Sequence, residues 1–452
     1  MRRLQARFEH ELVVIGVHSA KFPAEKEGPS LRQAILRHGI EHPVVNDGDF
    51  EIWRHYAVRA WPTIVLVDPK GYYLGAVPGE IDADAVGEFL QRAIVASDAR
   101  GELDRRPRRA TASGDDALVR AREADHEPAR TLSHPTRLAI TTESTLFVAD
   151  TGHHRILELD LAPDHRRARI ARTFGSGETG LVDARGDRAR FHAPHGIAHR
   201  GGKLYVADTE NHALRAIELA TGDVSTLAGT GEKAMHAIRP GRAATQTALR
   251  SPWGVWIQPP RVFIAMAGSH QVFTLEDEKR LLLFAGNGRE ALVDDSALDA
   301  SFNQPSDVAG SADELFVADA EASAVRAIAL AGKPLVSTLV GRGLFEWGDV
   351  DGVGDAASLQ HPTGIAHADG MLFLADSYNH KVKRLDPRTR QVKTLLGNGT
   401  PGHADGLFNR AQLFEPQGVA VRGRHVFIAD TNNHAIRVAD LDTLRVHTLV
   451  IE

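Results

Sequence analysis

A five-residue motif recurs six times in the last two thirds of the chain, and this repeat constrains the fold more than any other feature. Four apolar residues are followed by aspartate in five copies and by methionine in one. The copies end at Asp150, Asp208, Met266, Asp319, Asp376 and Asp430. A proline precedes each copy, at positions 135, 194, 252, 305, 362 and 416, with spacings of 53 to 59 residues. An apolar residue lies three positions before each proline: Leu132, Phe191, Leu249, Phe302, Leu359 and Leu413. Six units that share two fixed positions indicate a repeat architecture.

Each repeat divides into four short strands separated by turns. In the last repeat the pattern predicts strands over residues 418–421, 426–429, 435–438 and 446–450. A four-stranded unit has exposed edges and a face that it cannot bury alone, and radial packing of six such units protects both. The sequence therefore predicts a mainly β fold, a six-bladed β-propeller over residues 131–452.

The first 130 residues differ in composition from the repeats. Residues 1–97 alternate strand and helix patterns, with a buried strand expected at 61–67 and helices near 30–38 and 83–94, which favours a small α/β domain. Of residues 98–130, 16 are charged, eight of each sign. The run Arg105-Arg106-Pro107-Arg108-Arg109 suggests a nucleic-acid patch, but its acidic neighbours favour a solvated linker over 98–130.

Composition excludes several functions. The chain contains no cysteine, so disulfides, thiolate metal sites and cysteine nucleophiles are excluded. The longest apolar runs have strand length, and an acidic segment follows the basic N-terminus, so neither a membrane span nor a signal peptide is expected. We therefore expect a cytoplasmic protein with no cofactor and no membrane partner. A net charge of −6 disfavours nucleic acid as well, so it is not expected as a partner.

Three repeats match the pattern Pro-x-Gly-Ile/Val-Ala followed by Asp-x-x-Asn-His-x-Ile/Leu/Val-Arg/Lys. They carry it at residues 194–198 with 206–215, 362–366 with 374–383, and 416–420 with 428–437. This pattern resembles the NHL repeat. Segments 14–23, 61–63, 149–157, 264–270 and 348–354 extend the resemblance to the NHL repeat-containing protein 2 family.

The resemblance implies a thioredoxin-like domain fused to an NHL β-propeller. In the family, a strand and a helix with a cysteine pair lie upstream of the strand matched by residues 14–17. Those elements are missing here, so the resemblance implies a truncated, redox-dead thioredoxin-like domain at 1–97. Trp61-Pro62-Thr63 resembles the loop with a cis-proline that faces the cysteines, and Pro62 is expected to be architectural.

The polar turns after the second strand of each repeat suggest catalysis or metal binding. Because each blade carries one such turn away from the axis, we expect structural turns, in which Asp and Asn bond nearby backbone. The residues concerned are Asp150, Asp208, Asp319, Asp376, Asp430, His212, His380 and His434. Asp349, Asp351 and Asp355 resemble the start of a calcium loop, but the rest of that loop is missing, which favours a glycine-rich acidic turn.

Strand order places these turns and the long connections between repeats on one side of the β-propeller, which we call face one. The innermost strands begin at its centre, and the positions after the prolines differ in chemistry between repeats. Candidate ligand-binding residues there are Arg137, His195, Trp253, Ser306, Asp307, Thr363 and Gln417. Arg137 and Asp307 replace a glycine in opposite blades. Sequence drift and a polar ligand held at both ends both explain this pattern.

The leading functional hypothesis is a non-catalytic binding or scaffold protein that contacts a protein or small ligand through face one. The first alternative is an enzyme with an axial pocket, a metal-dependent hydrolase or lyase. The second is a thiol-disulfide oxidoreductase whose true start lies upstream and includes a cysteine pair.

Overall fold

A computed structural model describes residues 1–79, 83–105, 130–238 and 243–452. The chain divides into two compact units, one up to Pro128 and one from Ala129 onward. Most of the predicted linker, including residues 106–109 of the basic run, lies outside the described residues. Among the described helices, none combines the length and the apolar character required to cross a membrane.

The first unit contains short helices and two separate two-stranded sheets. Its helices are Arg2–Arg7, Gly28–Arg37, Glu51–His55 and Ala83–Ala99, and a 3-10 turn spans Pro23–Lys26. Its strands are Gly16–His18, parallel to Val44–Asn46, and Thr63–Val67, antiparallel to Tyr73–Pro78. The Trp61–Pro62 peptide is cis. The thioredoxin-like assignment stays a prediction, because two unjoined pairs of strands do not define that fold.

The second unit is a six-bladed β-propeller, as predicted. Each blade is an antiparallel sheet whose four strands follow one another from the axis outward. Blade one contains Leu138–Ile140, Thr145–Asp150, Arg155–Leu161 and Arg167–Phe174; blade two contains Pro194–Arg200, Lys203–Asp208, Ala213–Glu218 and Asp223–Ala228. Blade three contains Pro252–Gln258, Arg261–Met266, Gln271–Glu276 and Arg280–Ala285; blade four contains Pro305–Gly310, Glu314–Asp319, Ala324–Ala329 and Val336–Val340. Blade five contains Pro362–Ala368, Met371–Asp376, Lys381–Asp386 and Gln391–Leu396; blade six contains Pro416–Arg422, His425–Asp430, Ala435–Asp440 and Arg445–Thr448.

The core lies between the blades. Six hydrophobic clusters alternate with the six sheets, and each combines side chains of two successive blades, including blades six and one. The apolar residues three positions before the prolines are all buried, as the repeat predicts. Burial on both faces explains why the second strands read as continuous apolar runs instead of alternating ones.

The outer edges of the blades are covered by additional short pairings. Gly352–Val353 and Gly406–Leu407, both in long connections, pair with the outer strands of blades five and six. The fourth strand of blade six, predicted over 446–450, ends earlier than predicted, because the chain divides there. Arg445–Thr448 completes blade six, whereas Val450–Ile451 pairs in parallel with the outer strand of blade one. The end of the described chain thus covers the edge of the first blade and ties the last blade to it.

Buried ion pairs hold the long connections to the blades. In blade two, the fully buried Arg215 donates to Asp208 at 2.8 Å and to Asp183 in the preceding connection at 2.7 Å. Arg326 links Asp319 to Asp294, and Arg437 links Asp430 to Asp405, in the same way.

Blade three replaces this ion pair with apolar side chains. The positions of the aspartate and of the basic residue hold Met266 and Phe273, and both side chains are fully buried. The same backbone frame therefore accepts either a charged or an apolar pair. A buried pair tolerates joint replacement far better than the removal of one partner.

We predict strong coupling between Asp208 and Arg215. Asp208→Met alone leaves a buried cation without its main partner and should lower the free energy of unfolding by about 3–5 kcal/mol. Asp208→Met combined with Arg215→Phe, the pair found in blade three, should cost less than the sum of the single changes by about 1–3 kcal/mol. Urea unfolding of the two single variants and the double variant measures this difference.

The exposed pair Asp160–Arg169 provides the control. The same substitutions there should give a coupling below about 1 kcal/mol. Additive losses at 208 and 215 would contradict the interpretation of blade three.

Candidate functional site

Hydrogen bonds between successive blades position the inner strands on face one. In every blade, the residue before the proline donates its backbone N–H to a side chain in the turn of the preceding blade. The acceptors are Nδ1 of His154, His212, His270, His380 and His434, and Oγ of Ser323, at 3.1 to 3.2 Å. The donors are Ala193, Ser251, Gln304, Glu415, His134 and His361 in the corresponding order. We call these six bonds the inter-blade bonds.

Both partners of each inter-blade bond adopt a left-handed backbone. All twelve residues have φ between 45° and 56°. Residues other than glycine rarely adopt this conformation, and each instance costs on the order of 1–3 kcal/mol and persists only where its surroundings enforce it. Because the strain recurs at the same two positions in every blade, the repeat itself enforces it.

The inter-blade bonds also close the ring. The N–H of His134 in blade one binds Nδ1 of His434 in blade six at 3.1 Å. A second closing bond runs beside it, from the hydroxyl of Thr431 to the carbonyl of Pro135 at 2.8 Å. Equivalent hydroxyl bonds join blades one to two, two to three and five to six.

The inner strands approach one another closely at the axis. A methyl group at Gly196 would lie 2.3 Å from the carbonyl oxygen of Trp253, and one at Gly418 would lie 2.2 Å from that of Thr136. Glycine is required there because the next blade occupies the space. In blades one and four the same position holds Arg137 and Asp307, and both side chains are buried.

Arg137 and Asp307 contact each other across the axis. The Nε of Arg137 lies 3.0 Å from Oδ2 of Asp307. The guanidinium also donates to the carbonyl oxygens of Thr136 at 3.1 Å, of Ser306 at 3.0 Å and of Thr363 at 2.5 Å, and to that of Gln417. The two residues lie in opposite blades, as expected, but they contact each other instead of standing apart.

Neighbouring groups stabilise the charged form of Asp307 against the effect of burial. Burial raises the pKa of Asp307, whereas the charge of Arg137 and the backbone N–H groups of Ile365 and Val308 oppose that rise. Arg137 remains charged because a guanidinium does not lose its proton in proteins. The axis on face one therefore contains a bound, internally supplied cation.

The remaining candidates fall into two groups. Ser306 and Thr363 are fully buried: Ser306 Oγ donates to the Thr363 carbonyl at 3.0 Å, and Thr363 Oγ1 hydrogen-bonds Ser377 Oγ at 2.5 Å. The Gln417 side chain is buried as well. His195 and Trp253 are only partly buried, and their rings stack with centroids 4.5 Å apart. Of the seven candidates, this pair offers the accessible surface.

The turn aspartates serve the fold. Asp150, Asp208, Asp319, Asp376 and Asp430 are fully buried, and each accepts a backbone N–H from the start of its own blade at 2.6 to 2.8 Å. Burial raises the pKa of Asp208, Asp319 and Asp376 to about 6, against the effect of the basic residue beside each. His212, His380 and His434 accept the inter-blade bonds described above.

The acidic turn at 349–355 binds basic side chains of its own blade. Lys383 lies 2.7 Å from Asp349 and 3.3 Å from Asp351, Lys381 also contacts Asp349, and Arg390 lies 2.9 Å from Asp355. Asp351 corresponds to Asp183, Asp294 and Asp405, the loop partners of the buried arginines. Within the described ranges, no group of three His, Asp or Glu side chains is arranged to hold a metal ion.

Sequence reasoning missed the pairing of these loop aspartates with the buried basic residues. Each lies 32 residues before its buried basic residue and 43 or 44 before a threonine that also binds it. The 32-residue spacing is visible in the sequence, but the two residues lie in different elements, a loop before the blade and the third strand of that blade. A search for fixed spacings between opposite charges would have found it.

The last repeat of the β-propeller also matches a known family of repeats. Residues 415–439 match the family model of the NHL repeat. Together with the six blades, this match shows a β-propeller that carries an NHL repeat in its last blade.

Two longer proteins are similar to this chain over nearly its whole length. The chain is 41% identical over 455 residues to Protein SUPPRESSOR OF QUENCHING 1, chloroplastic, of Arabidopsis thaliana, covering 95% of this chain and 41% of that protein. It is 36% identical to NHL repeat-containing protein 2 of Homo sapiens, covering 97% of this chain and 63% of that protein. The resemblance predicted from the motifs is thus confirmed, and the chain spans less than two thirds of either relative.

Among solved structures, streptogramin B lyase is similar, with a TM-score of 0.44 and 10% identity over 72% of this chain and 85% of that one. Similarity at this level carries no information about activity.

We predict that the inter-blade bonds weaken in acid. Burial disfavours the charged imidazole and lowers the pKa of His380 to about 4. The neutral imidazole has the unprotonated Nδ1 that accepts the N–H of Glu415. An unfolded histidine titrates near 6.5, so the unfolded state binds more protons below that pH. The contribution of His380 to stability is therefore complete above about pH 6.5 and lost as the pH falls towards 4.

The His380→Ser variant tests this, because blade four uses Ser323 as the acceptor. Urea unfolding from pH 7 to pH 4.5 should show the wild type losing stability relative to His380→Ser. The exposed His403→Ser should follow the wild type at every pH. Parallel profiles for wild type and His380→Ser would show that the bond does not depend on a neutral imidazole.

Proposed function

We propose that the β-propeller is a non-catalytic binding module, and that the stacked His195 and Trp253 on face one form the centre of its contact surface. The observation that carries this proposal is the bound Arg137–Asp307 pair at the axis. An axial pocket is where an enzyme with this architecture would place its substrate. Here that position is filled by the chain's own side chains, which pair with each other at 3.0 Å.

The accessible surface beside the axis has the character of a binding site. A tryptophan supplies a large, rigid apolar area and an N–H donor, and tryptophan is enriched among the residues that dominate binding energy. His195 keeps the indole ring in place by stacking on it. The long connections surround this surface, and such loops commonly carry recognition.

For the first unit, we propose a thioredoxin-like fold without redox activity. The support is the family resemblance and the absence of cysteine from the 452 residues. A cytoplasmic location likewise stays a prediction, and the Arabidopsis relative is named as chloroplastic. Activities of the longer relatives are not transferred to this chain.

Site-specific photo-cross-linking tests the binding module. A benzophenone amino acid at position 253 should give discrete adducts in an extract of the source cells, and His195→Ala should reduce them because the ring loses its support. The same probe at the exposed Arg200, at the other end of an inner strand, is the matched control and should give none. Equal labelling from both positions, or adducts from position 200 alone, would contradict the assignment of face one.

A further inference from the structure

The axial cation is bound by oxygen atoms from four blades. Blades one, four, five and six each contribute the carbonyl of the residue after the repeat proline, and blade four adds the carboxylate of Asp307. The side chain of Arg137 is about 4% exposed, so protein groups replace nearly all of its hydration.

The oxygens are held by bonds that do not involve Arg137. Ser306 Oγ donates to the carbonyl of Thr363 at 3.0 Å. The Asp307 carboxylate accepts the N–H of Ile365 at 3.1 Å and that of Val308 at 3.0 Å. The blades themselves thus fix the positions of these acceptors. The site is therefore preorganised and does not depend on Arg137 to arrange its oxygens.

The geometry selects one class of cation. Two carbonyls bind Nη1, two bind Nη2 and the carboxylate lies at Nε, so the oxygens surround a planar group. A metal ion would need its oxygen ligands within about 2.3–2.6 Å of a single point. A guanidinium presents five donors in a fixed plane, which matches this arrangement.

We propose that the axial end of the β-propeller on face one is a guanidinium-binding site, and that Arg137 is its built-in ligand. The side chain crosses from blade one to blade four and joins the two halves of the ring. Four other blades hold glycine at this position: Gly196, Gly254, Gly364 and Gly418. Arg137→Gly therefore empties the site with a residue that the repeat already accepts.

The test is chemical rescue of Arg137→Gly. We expect the variant to melt at a lower temperature than the wild type. Guanidinium chloride at 10 mM, far below denaturing concentrations, should raise its melting temperature by about 2 °C or more in a saturable manner. Sodium chloride and tetramethylammonium chloride at the same ionic strength should not, because neither cation offers planar N–H donors. The wild type should not respond, because its site is full.

Arg422→Gly is the matched control. Its guanidinium also joins two blades, donating to Ser144 Oγ at 2.7 Å and to the Thr142 carbonyl, but without a surrounding ring of oxygens. Equal effects of guanidinium and sodium on Arg137→Gly, or an equal rescue of Arg422→Gly, would overturn the proposal.

Arg137→Gln covers the case in which the glycine variant does not fold. Glutamine keeps two N–H donors but no charge, so urea unfolding should show a clearly lower midpoint than for the wild type. An unchanged midpoint would show that the site does not require a cation.

Discussion

The hydrogen bond between the residue before each repeat proline and the turn of the preceding blade is the contact on which the rest of this β-propeller depends. It joins two residues whose left-handed backbones are costly alone, and it recurs in all six blades with nearly the same length. Since the donor immediately precedes the innermost strand, the bond fixes where that strand starts. The distances at the axis follow from it.

Fixing the inner strands explains the asymmetry at the centre of face one. Where two strands meet most closely, only glycine fits, as at Gly196 and Gly418. Blades one and four place a side chain there, and these side chains carry opposite charges in opposite blades. Their ion pair fills the space at the axis between these two blades. The stacked His195 and Trp253 are left as the accessible part of the centre, which is why we assign binding to them.

The repeat predicted the fold well because its signals are local. Burial of residues such as Phe302 and the polar turn ending at His212 follow from positions within one repeat. The loop partners of the buried arginines were missed because Asp183 acts on a strand 32 residues away. The strand pairing of Val450–Ile451 with blade one was missed for a related reason: it joins the end of the last repeat to the outer strand of the first.

The axial pair shows a different limit of sequence reasoning. The sequence pattern identified Arg137 and Asp307 as the two positions, in opposite blades, where the other four blades have glycine. It could not give the distance across the axis between opposite inner strands. That distance depends on how closely six inner strands pack, which is a property of the closed ring. A polar ligand between the two residues and a direct ion pair give the same sequence pattern, and the structure shows the direct pair at 3.0 Å.

Hydrogen exchange of the six donor amides, resolved by residue, tests the closed ring most directly. The N–H of His134 is decisive, because its acceptor His434 lies 300 residues away in the last blade. If the ring is closed as described, this amide should exchange as slowly as that of Glu415, at a rate set by global unfolding. Rapid exchange at His134 beside slow exchange at Glu415 would show that blade six does not bind blade one, and the account of a closed ring would fail.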